Sequence, residues 1–519
     1  MKNVLWVLIV CSVLAVSCGG NSEPEPVSLP APSLVSTSPA DGVTGIDDSV
    51  LSVVFTFDQN IKCSASAQSR ISIDGGARVD KVDAYSTDLT VSVSGLTEGS
   101  SYVLTIPEGT VEGFRKNQEA TAAVSFRFST WMPDPVPADP ADPADWEKAS
   151  AAATHMGVGW NLGNTLDSNS GAIDNMWIEA FTSRTTSDYE TAWGQPVATR
   201  ELIHMFKKAG FKAIRVPVTW YPHMGVVSVT TKQGSDGEWH GYWDMSTWKG
   251  YDVDPAWMAR VKEVVGYVLD EGMYCILNVH HDTGSATTGW LRADRQVYES
   301  VRERFCSLWN QIATEFEPCG QRLLFESFNE MLDTKGTWNW STAEAHEVIN
   351  MYNADFVATV RATGGKNAYR NLILNTYAAS SAKEALAAFR LPEDKVEGHL
   401  MAEVHSYAPY RFAFDTDRPQ EVFDASCDSE VRGIIDDLNT YFVSKGIPCV
   451  LGEYGADTSK RSEGELAKQA TCYLSAAAKY NIPCFYWMGL SNGDDRKVPK
   501  WTKTALKDAI VKAYKDNKK

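Results

Sequence analysis

Two hydrophobic patterns divide the chain. Residues 30–130 contain short runs in which apolar and polar side chains alternate, and turn-forming residues separate these runs. The runs are Leu51–Phe57, Leu89–Val93, Tyr102–Ile106 and Ala123–Phe128. Alternation with a period of two is typical of strands that bury one face. This part of the chain is therefore predicted to fold as a β-sandwich.

From residue 148 to residue 519, fully apolar runs alternate with stretches that carry helix signals, such as Asp254-Pro255 at a start and Gly272 after an end. Eight apolar runs occur: Gly157–Leu162, Ala213–Val218, Tyr274–Val279, Leu323–Phe328, Leu372–Thr376, Leu400–His405, Pro448–Gly452 and Cys484–Gly489. Buried strands that alternate with helices indicate a parallel sheet. Eight such repeats predict an α/β domain, a (β/α)8 TIM barrel.

Residues 131–147, between the two patterns, are rich in Pro, Asp and Ala. Prolines favour the extended polyproline II conformation, and carboxylates keep such a segment solvated. This segment is predicted to be a semi-rigid linker between two domains.

The N-terminal residues predict export. Lys2 precedes the apolar run Val4–Val16, which has the length of a signal-peptide core and is too short to span a bilayer. The small residues just before Cys18 resemble the cleavage site of bacterial lipoproteins, so residues 1–17 would be removed and Cys18 lipidated. Residues 18–29 would form a tether. We expect a protein anchored by lipid at the bacterial cell surface or outer membrane, or otherwise a secreted one.

Composition limits the partners. The formal net charge is -18 and the pI about 5.0, which disfavours nucleic acid as a partner. The ten cysteines show no C-x-x-C spacing, so neither a zinc site nor a redox motif is indicated. Nothing in the sequence predicts oligomerisation, and we expect a monomer.

Polar and indole side chains occur in or directly after six of the eight apolar runs. Catalytic groups of a TIM barrel lie at the carboxyl ends of its strands, so these side chains are candidates for one site. They are Arg215, His280, Asn329, Glu330, His405, Tyr407, Glu453 and Trp487.

Glu330 and Glu453 follow the fourth and seventh runs, which lie on opposite sides of a barrel mouth. Glycoside hydrolysis needs such a pair: one carboxylic acid protonates the leaving oxygen, and the other carboxylate is the nucleophile or base. Adjacent histidines on a strand point to opposite faces, so His280 and His281 are not expected to share a metal ion. No metal or other cofactor is predicted.

Five motifs occur in this domain: Gly159-Trp-Asn-Leu-Gly-Asn-Thr-Leu-Asp167, Thr191-Ala-Trp-Gly194, Ile214-Arg-Val-Pro-Val-Thr-Trp220, Ser327-Phe-Asn-Glu330 and Gly452-Glu-Tyr-Gly455. Together they resemble glycoside hydrolase family 5, and in particular its subfamily 4. The resemblance implies a retaining endo-β-1,4-glucanase or xyloglucanase. Glu330 would be the acid/base and Glu453 the nucleophile, with carboxyl groups about 5 to 5.5 Å apart.

The same resemblance implies a set of substrate-binding residues: Arg215, His280, Asn329, His405, Tyr407 and Trp487. Arg215 and Tyr407 would keep Glu453 ionised, and the Tyr407 hydrogen bond would lower its pKa. Asn329 would hold the sugar 2-hydroxyl, and Trp487 would lie under the cleaved sugar. Further tryptophans that would stack on sugars are Trp160, Trp193, Trp220, Trp290, Trp338 and Trp340.

Residues 30–130 resemble bacterial Ig-like domains in the opening Ser38-Pro-Ala-Asp-Gly42 and the closing Phe126-Arg-Phe128. No polar constellation stands out there, so a spacer is favoured over a carbohydrate-binding module.

The expected partner is a plant β-glucan, and the motifs do not decide between cellulose, mixed-linkage β-glucan and xyloglucan. A β-mannanase on the same barrel is the enzymatic alternative. A non-catalytic surface lipoprotein that binds glycans is the alternative from another class, and the presence of both carboxylates argues against it.

Overall fold

The computed structural model describes residues 28–46, 50–338, 341–415, 417–487 and 494–518. The chain divides into two compact units, Met1–Pro135 and Val136–Lys519. The predicted signal peptide, Cys18 and most of the predicted tether lie outside the described residues. Within the described ranges, no helix has both the length and the apolar character that crossing a membrane requires.

The first unit is a β-sandwich, as the alternating runs predict. One sheet has the strand order Leu34–Ser38, Val50–Phe57, Asp88–Ser94 and Arg78–Tyr85, and the other Val43–Ile46, Val124–Thr130, Ser101–Ile106 and Ser72–Ile73. A further strand pair and one short helix are Ile61–Cys63 with Val111–Gly113, and Ala67–Arg70. The core of this unit lies between its two sheets. It includes side chains with no exposed surface, among them Phe55, Val91 and Phe126.

The second unit contains a closed barrel of eight parallel strands, which confirms the predicted (β/α)8 fold. In order around the barrel the strands are Val158–Asn161, Ala213–Val216, Tyr274–Asn278, Leu323–Glu326, Leu372–Ser380, Leu400–His405, Cys449–Tyr454 and Cys484–Trp487. Each strand lies within or overlaps one of the eight apolar runs, because both faces of a barrel strand are buried.

Helices and short ribbons complete this unit. Its longer helices are Arg200–Ala209, Pro255–Asp270, Arg295–Glu315, Ala343–Ala362, Ala425–Tyr441, Glu463–Ala477 and Thr504–Asn517, and its shorter ones are Ala149–Met156, Trp177–Phe181, Thr186–Glu190, Lys383–Ala388 and Tyr410–Ala413. The antiparallel ribbons are Met224–Val226 with Lys249–Val253, Val229–Gln233 with Trp239–Trp243, and Asp494–Asp495 with Lys500–Trp501. Asp254 caps one helix as predicted, since its carboxylate accepts the Ala256 N–H at 2.8 Å.

The helix Ala149–Met156 closes the amino end of the barrel. Ala149, Ala152 and Met156 are fully buried in a cluster with side chains of the barrel strands, among them Ile276 and Phe485. The amino end is thus filled by packing, and the carboxyl end remains for a site.

The Pro/Asp-rich stretch is a linker over less of its length than the sequence suggested. From Val136 onward the chain belongs to the second unit. Asp139 forms an ion pair with Arg322 at 2.9 Å, and the Trp146 side chain is buried. These contacts end the independent linker well before residue 147.

The eight described cysteines are all free thiols. Cys275, Cys449 and Cys484 are buried on barrel strands, and burial raises the pKa of each thiol.

Gly159, on the first barrel strand, has no room for a side chain, because a Cβ there would overlap the ring of Phe485. Gly159→Ala should therefore reduce the free energy of unfolding of the barrel unit by about 1–3 kcal/mol. The matched control is Gly266→Ala in the helix Pro255–Asp270, where a Cβ meets nothing within 4 Å. We expect that control to be neutral or to stabilise by about 0.5–1 kcal/mol. Equal effects of the two changes in denaturant unfolding would contradict the packing described.

Candidate active site

Arg215, on the second barrel strand, has no exposed surface and organises the carboxyl end of the barrel. Its Nε and Nη2 donate to the two carboxylate oxygens of Glu326 at 2.6 and 2.7 Å. Its Nη1 donates to Glu453 Oε1 at 2.8 Å and to Asn161 Oδ1 at 3.0 Å, and its Nη2 also donates to Asn329 Oδ1 at 2.9 Å. A buried guanidinium is stable only with such partners, so Arg215 and the ends of the first, fourth and seventh strands hold one another in place.

Glu330 and Glu453 face each other above Arg215. One carboxylate oxygen of Glu330 lies within 4.8 Å of one of Glu453. His405 Nδ1 lies 2.8 Å from Glu330 Oε1 and 3.6 Å from Glu453 Oε2. The Tyr407 hydroxyl donates to Glu453 Oε2 at 2.6 Å. This separation fits the short spacing of a retaining pair, about 5–5.5 Å, better than the about 6.5–9.5 Å of an inverting pair.

Opposing effects set the pKa of Glu453. Burial raises it above its ordinary value, while the positive charges of His405 and Arg215 and the Tyr407 hydrogen bond oppose that rise. The expected contacts of Arg215 and Tyr407 are present. The Tyr407 hydrogen bond lowers the pKa as predicted, but the sequence did not reveal how completely the carboxyl group is removed from water, and burial outweighs that bond.

His280 and Trp487 form one wall of the site. Their rings stack with centroids 5.6 Å apart and an interplanar angle of 6°. Asn278 donates from Nδ2 to Glu326 at 2.9 Å, which fixes its amide so that it also donates to His280 Nδ1 at 3.1 Å. Burial lowers the pKa of His280 well below its ordinary value, so this imidazole stays neutral.

Gly163 makes room for Trp487. A Cβ on Gly163 would lie 2.8 Å from two atoms of the indole ring, closer than side chains normally pack. Gly163 therefore lets Trp487 lie against the loop that follows the first strand.

His280 and His281 lie closer together than strand alternation predicts. The third strand ends at Asn278, so both rings belong to the following loop, and their centroids are 4.5 Å apart. His281 Nε2 also lies 3.8 Å from Asp167 Oδ2. By proximity, two triads of described residues could hold a metal ion: Asp167, His280 and His281, and Glu330, His405 and Glu453. The expectation that strand alternation keeps His280 and His281 from sharing a metal ion is therefore wrong.

A cleft of about 830 Å³ brings the predicted residues together. It is lined by His280, Asn329, Glu330, His405, Tyr407, Glu453 and Trp487. Arg215 lies buried beneath its floor, in contact with Glu453. Trp338 and Tyr410 also line it and are 45% and 66% exposed, so their rings are available to the apolar faces of a sugar chain.

Of the other candidate tryptophans that the structure describes, three are buried and one is partly exposed. Trp160 and Trp220 are fully buried in the barrel core, and Trp290 is buried with its indole N–H donated to Asp282 Oδ1 at 2.6 Å. Trp193 is partly exposed and packs on His281, with ring centroids 5.3 Å apart. Trp340 lies outside the described residues.

Sequence reasoning missed the buried polar groups beneath the cleft. Glu326 and Glu403 lie on the fourth and sixth strands with no exposed surface, and Asn161, Asn278 and Asn375 are equally buried. The signal available for each of the two glutamates was a charge inside an otherwise apolar strand. Glu403 lies two residues before His405, and Glu326 lies four residues before Glu330.

Two family models match the chain. One is the model for cellulase (glycosyl hydrolase family 5), which matches residues 176–493, and the other is that for a bacterial Ig-like domain, which matches residues 30–130. Endoglucanase A of Clostridium longisporum is 34% identical over 391 residues, which cover 72% of this chain and 67% of that protein. Endoglucanase 1 of Ruminococcus albus is 37% identical over 335 residues, covering 64% of this chain and 71% of that protein.

Solved structures agree with these matches. A glycoside hydrolase family 5 enzyme from Prevotella bryantii B14, in complex with a xyloglucan tetradecasaccharide, has a TM-score of 0.61 and 38% identity, covering 71% of this chain and 99% of that chain. A broad-specificity endoglucanase from Ruminococcus champanellensis with bound cellotriose has a TM-score of 0.61 and 36% identity, covering 70% and 98%. From the family match, these relatives and the barrel with its paired carboxylates, we conclude that the chain belongs to glycosyl hydrolase family 5 and carries a bacterial Ig-like domain before the barrel.

Proposed function

We propose that the protein is a retaining endo-β-1,4-glucanase of subfamily 4, with Glu330 as the acid/base and Glu453 as the nucleophile. The observation that carries this proposal is the pair of carboxylates whose oxygens lie within 4.8 Å across the cleft. The endoglucanases among its relatives support the same reaction.

The reaction proceeds in two displacements. In the first, Glu453 attacks the anomeric carbon while the Glu330 carboxylic acid gives its proton to the departing glycosidic oxygen. A covalent glycosyl–Glu453 ester forms and the shortened glucan leaves. In the second, Glu330 removes a proton from a water molecule that attacks the same carbon, which releases Glu453 and the sugar with its β configuration retained.

The neighbouring groups prepare these steps. Arg215 and Tyr407 each hold one oxygen of Glu453, so the carboxylate is oriented for attack. Arg215 donates a hydrogen bond to the amide oxygen of Asn329. The Asn329 Nδ2 is thereby left as a donor for the sugar 2-hydroxyl. Trp487 offers its indole to the sugar at the cleavage point.

We propose a neutral β-glucan of plant origin as the substrate: cellulose, mixed-linkage β-glucan or xyloglucan. Exposed aromatic rings along the cleft and the acidic net charge both suit an uncharged polysaccharide. A β-mannanase and a non-catalytic glycan receptor are not favoured, since the named relatives are endoglucanases and both carboxylates are in place.

The proposed location is the bacterial cell surface or outer membrane, with the protein held as a monomer by a lipid on Cys18. The short apolar run Val4–Val16 and the small residues before Cys18 support this anchor.

Each catalytic carboxylate should be essential. Glu330→Gln should reduce kcat on barley β-glucan about 10²–10⁴-fold, because the leaving oxygen loses its proton donor. Glu453→Gln should reduce it at least as much, because no ester can form. Reducing-sugar release measures both changes. The control Glu347→Gln, on a residue that is 66% exposed, should keep full activity. Activity within tenfold of the wild type in either cleft variant would contradict the assignment.

The product should first appear as the β-anomer. Two displacements at one carbon restore its configuration, so proton NMR during hydrolysis of a cello-oligosaccharide should show the β signal before mutarotation. An initial α signal would indicate an inverting enzyme and overturn the proposed mechanism.

Cys18→Ser should release the full-length protein from the membrane fraction of the producing bacterium. The wild type should incorporate radiolabelled palmitate and the variant should not, because the thiol that carries the lipid is absent. An unlabelled wild type in the soluble fraction would show that the anchor is absent.

A further inference from the structure

Glu403 is a second glutamate beneath the cleft. It lies two residues before His405 on the sixth barrel strand, so both side chains point into the barrel. Its side chain has no exposed surface and cannot touch a sugar. A Cβ on Gly452, in the neighbouring strand, would overlap the Glu403 carboxylate, so the glycine at that position leaves space for it.

Glu403 has weaker partners than Glu326, although both carboxylates lie near Arg215. Glu326 takes two short hydrogen bonds from the guanidinium, whereas Glu403 Oε1 lies 3.5 Å from Arg215 Nε. The Asn375 amide is 3.5 Å from Glu403 Oε2. When two buried carboxyl groups share one cation and only one is well paired, the other has the higher pKa.

His405 connects Glu403 to the cleft. Its Nε2 lies 3.4 Å from Glu403 Oε1, and its Nδ1 lies 2.8 Å from Glu330 Oε1. Within the described chain, these two atoms are both buried and neither has a hydrogen-bond partner. The ring therefore lies directly between the proposed acid/base and the buried carboxyl group.

The charges around Glu403 come from four strands. They are Arg215 on the second strand, Glu326 on the fourth, His405 on its own, and Glu453 with the neutral thiol of Cys449 on the seventh. Burial and the charge of Glu326 raise the pKa of Glu403 to about 7. Burial disfavours the His405 cation, but Glu453, Glu330 and Glu403 raise its pKa to about 10.

We propose that Glu403 is a positioning residue of the reaction, which acts through the buried His405 ring to keep the proton on the His405–Glu330 pair. The inference rests on the proposed function, since it concerns the acid/base of that reaction. A negative charge behind His405 makes each nearby proton harder to remove. Below neutral pH the Glu403 carboxyl group is uncharged and has no such effect.

The pH dependence of kcat/KM tests this inference. In a retaining glycoside hydrolase the alkaline limb follows loss of the proton from the acid/base, and the acid limb follows protonation of the nucleophile. Glu403→Gln removes a charge that exists only on the alkaline side. We expect its alkaline limb to move to lower pH by about one unit and its acid limb to stay in place. At the acid side of the optimum, KM should be unchanged because Glu403 does not touch substrate.

Two further variants separate charge from packing. Glu403→Met removes the same charge without leaving a buried amide to satisfy, and it should show the same shift if Glu403→Gln fails to fold. Glu403→Asp keeps an ionisable group and should keep the alkaline limb close to that of the wild type. The control is Glu179→Gln, a buried glutamate whose pKa is also raised by burial but which binds Ser170 away from the cleft carboxylates.

A wild-type alkaline limb in both neutral variants would overturn the inference. A shift of both limbs by the same amount would also overturn it, because it would mean that Glu403 is charged throughout. If the wild type itself releases no reducing ends from any β-glucan, the proposed function fails and this inference with it. An active wild type with an unmoved limb in the neutral variants removes only the role of Glu403.

Discussion

The site depends on one buried cation, Arg215, shared by several acidic and amide groups. Removing a guanidinium and carboxylates from water costs several kcal/mol per charge, and only close pairing recovers that cost. The barrel makes the pairing possible because Arg215, Glu326, Glu403 and Glu453 come from four strands and meet in its interior. Without Arg215 these carboxyl groups would lose the cation that they share, so the network restricts the cleft residues to one arrangement.

This network supports the roles proposed for the two cleft carboxylates. Glu453 is held through both of its oxygens by Arg215 and Tyr407, which suits a group that must attack along one direction. Glu330 is 21% exposed and contacts His405, so it lies nearer to water than Glu453. Two carboxyl groups on one barrel thus differ in their surroundings, as an acid and a nucleophile must.

Much of the fold and the cleft could be predicted from the sequence. Barrel strands are apolar on both faces, and polar residues at their carboxyl ends marked Glu330, Glu453 and their neighbours. Glu403 was not predicted, because a single acid inside a strand reveals nothing about which charges the closed barrel brings near it. The pKa of Glu453 and the proximity of His280 to His281 also depend on burial and loop geometry. Neither follows from spacing along the chain.

The most direct test of the central claim is to trap the covalent intermediate. A cellobioside with fluorine at carbon 2 and a good leaving group slows both displacements and the second most, so the glycosyl-enzyme accumulates. Mass spectrometry of the digested wild type should then find the added sugar on the peptide that contains Glu453. Attachment to another residue, or continued turnover of glucan with no adduct, would contradict double displacement through Glu453.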